Sequence, residues 1–316
     1  MKKILSNDGI DALGKKILQE AGFTVITDKV AQENLADYIN SNSIEVLTVR
    51  SATKVRKDII DNCANLKLVV RGGVGIDNID AEYAKEKGLK VANTPAASSD
   101  SVAELVIANM FSMCRFLYDS NRKMPISGAV DFNELKKKYS GGKELKGKTL
   151  GIIGIGRIGQ AVASRAVGLG MKVVAYDPFV ENTTIKIELD GAGLINIPLK
   201  TISLDEVLAT SDYITVHVPG GSIIDKAEIA QMKNGVCLIN TSRGGVINEV
   251  ALIEGLNSGK IAHAALDVFE NEPTPKTELL SHPKISLTPH IGAATDEAQE
   301  RIGLELATII VSFFKE

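Results

Sequence analysis

At 316 residues the chain has room for roughly two domains at about 150 residues each, enough to bury real cores. Hydrophobic residues make up 44% and charged residues 24%, which excludes a disordered or collagen-like chain. The net charge of −3, from 36 basic and 39 acidic side chains, leaves no basic footprint for nucleic acid. No apolar run approaches the ~18 residues of a membrane span. Three cysteines, Cys63, Cys114 and Cys237, are scattered without disulfide or metal-ligand spacing, so no metal is expected. The start, Met1-Lys2-Lys3-Ile4-Leu5, is basic then apolar, but Ser6-Asn7-Asp8 ends it far short of a signal peptide. The expectation is a soluble, reduced, cytoplasmic protein.

Short apolar runs then alternate with helical patterns. Strands are expected over 45–49 and 66–70, with a helix over 57–64 between them. The same rhythm recurs at 149–153, 172–176, 213–218, 236–239 and 285–287, which implies parallel sheets covered by helices and an α/β fold. Two stretches read as joints between domains. Asn93-Thr94-Pro95-Ala96-Ala97-Ser98-Ser99 leads into a helix over 102–118, opened by the capping-box pattern Ser101-Val102-Ala103-Glu104 and apolar nearly all round. Leu287-Thr288-Pro289-His290-Ile291-Gly292-Ala293-Ala294 is the second, before a final helix whose first turn carries Asp296 and Glu297. The expected domains are therefore 1–94 with 290–316, and 95–289.

Gly154-Ile155-Gly156-Arg157-Ile158-Gly159 is a G-x-G-x-x-G between the strand 149–153 and a helix over 160–168. The next strand ends at Asp177, about twenty positions after Gly154. Glycines allow the tight turn and close approach, a helix N-terminus faces the pyrophosphate, and an acid meets the ribose hydroxyls. Asp177 also favours NAD over NADP, since its carboxylate would repel a 2′-phosphate. Four histidines are present. His217, His263 and His282 read as packing or surface residues, whereas His290 follows a strand end, where ligands gather in open α/β sheets. Arg243, in Asn240-Thr241-Ser242-Arg243-Gly244-Gly245, could fork onto a carboxylate. Asp267-Val268-Phe269-Glu270-Asn271-Glu272-Pro273 offers three acids, any of which could hold the histidine. A histidine, an arginine and a carboxylate at strand ends fit hydride transfer involving a 2-hydroxy or 2-oxo acid.

These segments, with Val49-Arg50-Ser51-Ala52-Thr53-Lys54-Val55, Gly72-Gly73-Val74-Gly75-Ile76-Asp77-Asn78-Ile79-Asp80 and Ala265-Leu266-Asp267-Val268-Phe269, resemble the D-2-hydroxyacid dehydrogenase family over nearly the whole chain. The resemblance is strongest to the catalytic part of its phosphoglycerate-oxidising branch. It implies two Rossmann-like or flavodoxin-like domains with parallel sheets, the active site in the cleft between them. It implies Arg243, Glu272 and His290 as catalytic residues. It also implies NAD contacts at Val74, Gly154, Gly156, Arg157, Ile158, Gly159, Asp177, Val218, Thr241, Ser242, Asp267, Gly292 and Ala293. Substrate contacts carry over to Arg50, Ser51, Arg71, Gly73, Val74, Gly75, Arg243 and His290, with backbone amides around Gly73 to Gly75 as a second hold on the carboxylate.

The implied activity is NAD-dependent oxidation of D-3-phosphoglycerate to 3-phosphohydroxypyruvate, the entry to serine biosynthesis, by a homodimer with 120–145 as contact segment. Reduction of glyoxylate or hydroxypyruvate, oxidation of another 2-hydroxy acid, and a corepressor-like NAD-sensing role are the alternatives. Lys136, Lys137 and Lys138 would either add charge from a neighbouring subunit or form a solvated helix face. Two departures from the family bear on substrate contacts: Ser98 where asparagine is frequent, and the short Gly220-Gly221-Ser222 loop after Pro219. The chain is also expected to lack the C-terminal regulatory domain of longer relatives.

Overall fold

The computed structural model describes residues 1–315. The chain forms two compact units, Met1–Ser101 with the chain from Ala293 onward, and Val102–Gly292. The crossings thus fall at 101/102 and 292/293, not at 94/95 and 289/290. Both displacements have a physical cause. The Pro95 turn stays with the first unit because Ala97 is buried in its core and Arg301 Nε donates to the Ala97 carbonyl at 2.8 Å. His290 to Gly292 stay with the second because the His290 N–H donates to the Thr288 carbonyl and Asp267 accepts the Ile291 and Gly292 N–H groups, as described below.

The first unit holds β1 (Lys3–Ser6), β2 (Thr24–Ile26), β3 (Val46–Val49), β4 (Leu68–Arg71) and β5 (Lys90–Asn93). They pair in parallel in the order β2-β1-β3-β4-β5, the flavodoxin-like arrangement. A parallel sheet is covered on both faces, so its central strands are continuous apolar runs. All four residues of β3 are buried accordingly. Two hydrophobic clusters result, one around Leu47, Ile59 and Val69 and the other around Val46, Leu68 and Ile302.

The second unit holds β6 (Thr149–Ile153), β7 (Lys172–Tyr176), β8 (Asn182–Leu189), β9 (Gly193–Lys200), β10 (Tyr213–Val216), β11 (Val236–Asn240), β12 (Ile261–Leu266) and β13 (Ile285–Leu287). Six of these pair in parallel as β13-β12-β11-β10-β6-β7, so the winding direction reverses between β6 and β10. That reversal is where dinucleotides bind in doubly wound sheets. β8 and β9 form a separate antiparallel hairpin that the strand–helix rhythm did not foresee. Its Ile185, Ile187, Ile197 and Leu199 pack onto the core beside Val162 and Ala166.

The apolar helix expected over 102–118 is two helices. The first spans Ser99–Cys114, so the Ser101 capping pattern lies inside it, and the second spans Leu117–Ser127. Phe116 between them has φ 55, a left-handed conformation that ends the first helix. No single helix among the described residues is long and apolar enough to cross a membrane.

Candidate active site

The strand order sets the residues after β13, β12 and β11 side by side: His290, then Asp267 to Glu272, then Thr241 to Arg243. Beyond them come Val218 after β10, the glycine motif after β6 and Asp177 after β7. One edge of one sheet therefore carries nearly every residue singled out in the second unit.

Each feature of the glycine motif has a mechanical reason. Gly154 has φ 94, and a Cβ there would lie 2.6 Å from the His217 carbonyl oxygen and 3.2 Å from Val218 Cγ1. A Cβ at Gly159 would overlap the Gly154 carbonyl. The helix starts at Arg157, three residues before the expected start, with Gly156 as its N-cap and no side-chain capping bond. Its first N–H groups are thus left by side chains for an anion. Asp177 accepts the Ile155 N–H at 3.0 Å and the Phe179 N–H at 2.9 Å, so it holds the motif closed. A carboxylate with one bond at each oxygen keeps lone pairs for ribose hydroxyls. At the end of β11, the Thr241 hydroxyl oxygen is buried with no partner among the described residues. A buried orphan hydroxyl at the same sheet edge as an uncapped helix end fits a polar ligand such as the dinucleotide. The Ser242 hydroxyl instead donates to Asn240 Oδ1 at 2.9 Å.

His290 Nδ1 and Glu272 Oε2 lie 2.8 Å apart, with side chains 43% and 35% exposed. The other carboxylate oxygen, Oε1, accepts the Phe269 N–H at 3.0 Å, which fixes the glutamate against its own loop. The pair borders a cavity of about 360 Å³ lined mainly by Phe269, Pro273, Leu280, Leu287 and Pro289. Among the three acids, the structure places Glu272 on the histidine.

Asp267, which the resemblance sets at the cofactor, is engaged within the chain around His290. It is 1% exposed, and its oxygens accept the Thr288 hydroxyl at 2.6 Å, the Ile291 N–H at 2.9 Å and the Gly292 N–H at 2.8 Å. It therefore holds the chain on both sides of His290, by a side-chain hydroxyl before it and two backbone amides after it, and the His290 φ of 54 is itself left-handed. Arg243 Nη1 donates to the Ser242 carbonyl at 2.6 Å, and Asn240 Nδ2 donates to the Arg243 carbonyl at 2.8 Å. Gly244 follows because a Cβ there would overlap the Phe269 carbonyl. The arginine loop thus packs directly on the loop that carries Glu272.

The remaining candidates belong to the first unit. Arg50 and Ser51 follow β3, and Arg71 ends β4, paired with Val49. Their loop is pinned by Asp8, which sequence reading missed: it accepts the Arg50 N–H at 2.7 Å, the Thr53 N–H at 3.0 Å and the Thr53 hydroxyl at 2.8 Å, and pairs with Lys29. Burial alone would raise the Asp8 carboxyl, but these donors together hold it below its ordinary value. Gly73 has φ 141, and its N–H donates to the Thr94 hydroxyl at 2.7 Å. The Gly73 amide, expected to face the substrate carboxylate, is thus engaged by Thr94. Ala293 accepts Gln299 Nε2 at 2.7 Å through its carbonyl, and Ser98 is buried at 2%.

In the second unit Lys138 Nζ pairs with Asp119 at 2.7 Å, while Lys136 and Lys137 are exposed on the same short helix. His217 meets the Thr215 hydroxyl at 3.0 Å, His263 packs edge-on to Phe116, and His282 contacts Asn257. Among the described residues no cluster of His, Cys, Asp or Glu is arranged to hold a metal ion.

Residues 107–292 match the family of the D-isomer specific 2-hydroxyacid dehydrogenases, in its NAD-binding domain. The chain is 43% identical to a hydroxypyruvate reductase of Thermotoga maritima, over 98% of this chain and 96% of that one. It is 41% identical to a D-3-phosphoglycerate dehydrogenase of Methanocaldococcus jannaschii, over 97% of this chain but only 56% of the relative's length. A glyoxylate reductase from Paecilomyes thermophila superposes with a TM-score of 0.81 at 30% identity, covering 98% of this chain and 94% of that one. With the glycine motif, the strand-end residues and a family match across most of the second unit in agreement, the chain belongs to the NAD-binding D-isomer specific 2-hydroxyacid dehydrogenases.

Proposed function

We propose that the protein oxidises D-3-phosphoglycerate to 3-phosphohydroxypyruvate in an NAD-dependent reaction and catalyses the reverse reduction when the oxo acid is supplied. The observation that carries the reading is the hydrogen-bonded His290–Glu272 pair at the same sheet edge as Arg243. NAD, when bound, supplies the hydride acceptor for the C2 hydrogen. His290 takes the hydroxyl proton through Nε2 during oxidation and returns it during reduction. Glu272 holds the ring through Nδ1 and so fixes where its other nitrogen points. Arg243 grips the substrate carboxylate through its planar fork of donors. The residues suited to NAD are those of the glycine loop and the helix start at Arg157, with Asp177 at the ribose.

Two features support a phosphorylated substrate: arginines at the ends of neighbouring strands, Arg50 and Arg71, and the similarity to phosphoglycerate dehydrogenases. Reduction of hydroxypyruvate is the second reading, favoured by 43% identity to a hydroxypyruvate reductase matched over 96% of its length. NADH consumption, followed by absorbance with phosphohydroxypyruvate, hydroxypyruvate and glyoxylate in parallel, separates them. A kcat/KM about 10²-fold higher for the phosphorylated acid, equivalent to about 2.7 kcal/mol, is expected, with most of that preference lost in Arg50→Ala. Equal or better rates with the unphosphorylated acids would make the enzyme a hydroxypyruvate or glyoxylate reductase.

The reading extends to a homodimer. Leu117, Ile126, Val130 and Phe132 are each at least half exposed along one stretch of the second unit, apolar side chains that a second copy of the chain would cover. Light scattering is expected to give the mass of two 33.7 kDa chains; a monomer at micromolar concentration would remove the dimer from the reading.

A further inference from the structure

Glu270, the acid between Asp267 and Glu272, has its own set of partners. Its N–H donates to Glu249 Oε1 at 2.8 Å, and the Glu249 N–H donates to Glu270 Oε1 at 3.4 Å, so each carboxylate holds the other's backbone. Lys276 Nζ closes the group, donating to Glu270 Oε2 at 2.6 Å and lying 3.0 Å from Glu249 Oε2. Glu249 is buried, with its side chain 5% exposed, in the first turn of the helix Glu249–Ser258, where the helix dipole favours an acid. Two carboxylates around one ammonium raise the lysine pKa, Glu270 more than Glu249, so the lysine stays charged at neutral pH.

Three segments converge here. The loop after β11 arrives through Gly244 and Gly245, where a Cβ would overlap the Phe269 carbonyl and sit 3.8 Å from Glu270 Cγ respectively. The second is the start of the Glu249 helix. The third is the loop after β12, which reaches Glu272 two residues beyond Glu270. Arg243 precedes Gly244, so the cluster lies where the carboxylate-binding loop and the loop orienting His290 touch.

We propose that the Glu249–Glu270–Lys276 cluster is a positioning device for hydride transfer, with Lys276 as the positioning residue that sets the separation between Arg243 and the Glu272–His290 pair. This rests on the roles given to Arg243 and His290 under the proposed function. Without the ammonium, two carboxylates face each other, one of them buried, and their repulsion loosens the reciprocal backbone bonds. A displacement of about 1 Å at a reacting group costs roughly 10² in rate, and a smaller one costs less.

The test compares Lys276→Met, Lys276→Arg, Glu270→Gln and His290→Gln in the full chain, with NADH and whichever of phosphohydroxypyruvate and hydroxypyruvate the wild type reduces faster. Lys276→Met is expected to lower kcat about 10- to 10²-fold, with NADH affinity and the oxo-acid KM little changed. The deuterium isotope effect on kcat from 4-deuterated NADH should rise, because a misaligned hydride step becomes limiting. Lys276→Arg should recover most of the rate. A wild-type kcat and isotope effect in Lys276→Met, or a loss confined to thermal stability, would overturn the inference. Should Lys276→Met bind no NADH, Glu270→Gln decides in its place by the same two readouts. Full activity in His290→Gln would overturn the underlying reading instead; an impaired His290→Gln beside an unaffected Lys276→Met would overturn this inference alone.

Discussion

His290 occupies a backbone conformation, φ 54, that residues with a Cβ adopt only where their surroundings over-determine it, at a cost of about 1–3 kcal/mol. Asp267 supplies that determination by accepting from Thr288 on one side of the histidine and from Ile291 and Gly292 on the other. The carboxylate is thus occupied in shaping the chain that presents the imidazole, which separates two roles by experiment. A cofactor contact would show itself in NADH affinity. A backbone clamp would show itself in kcat and in stability, with NADH affinity nearly unchanged. For Asp267→Asn, which must turn an N–H₂ toward donors, the expected outcome is a loss of about 1–3 kcal/mol in urea unfolding. The same variant should lose at least about tenfold in kcat, through misplacement of the acid–base group. Weakened NADH binding with intact turnover would return Asp267 to the cofactor.

At the scale of elements, the fold was most legible where one segment carried its own pattern. The strands Thr149–Ile153, Lys172–Tyr176 and Ile285–Leu287 coincide with their apolar runs, although only the first is buried nearly throughout and the other two lie at the edges of the sheet. The hairpin was legible but unread: Ile185-Lys186-Ile187-Glu188-Leu189 alternates with period two and meets Asp190-Gly191, a turn signal. The break at Phe116 was not legible, since neither glycine nor proline marks it. Tertiary contacts accompany it, the Phe116 ring packing 5.9 Å from His263 and 6.0 Å from Tyr139. The site divides along the same line. The glycine motif is local in sequence and could be read from it. Spacing and composition leave the three acids within six residues unsorted, and only the family resemblance points to Glu272, because their partners come from elsewhere: Thr288 and the 291–292 amides for Asp267, Glu249 and Lys276 for Glu270, His290 for Glu272. Gly73 shows the converse, a glycine whose amide looked available until Thr94 was brought to it.

Across the whole molecule, the three histidines outside the Glu272 pair share one electrostatic trend that ties stability to pH. Burial pushes the His217 imidazole down to about 3. Burial also lowers His263, aided by Lys284 and Lys143, and His282, aided by Lys284. Each takes up a proton less readily in the folded chain than after unfolding, where the ordinary value near 6.5 returns, so the unfolded chain binds more protons below that pH. The stability these groups contribute is therefore complete above about pH 6.5 and falls as pH drops from there toward the folded values. For His217 the slope approaches about 1.4 kcal/mol per pH unit between the two values, and the other two add in the same direction. Asp8 acts lower on the scale: its depressed carboxyl stabilises fully above its ordinary 3.8 and loses that contribution as pH falls through the folded value. Urea unfolding without cofactor at pH 7.5, 6.5, 5.5 and 4.5 should thus show a midpoint that is flat between the first two and falls across the rest. His217→Gln keeps an amide for Thr215 but cannot take a proton, so it should flatten that fall by about 1 kcal/mol per unit even if its stability at pH 7.5 is lower. An acid slope identical in wild type and variant would mean that His217 titrates alike in the folded and unfolded chains, and that water reaches it at the end of β10.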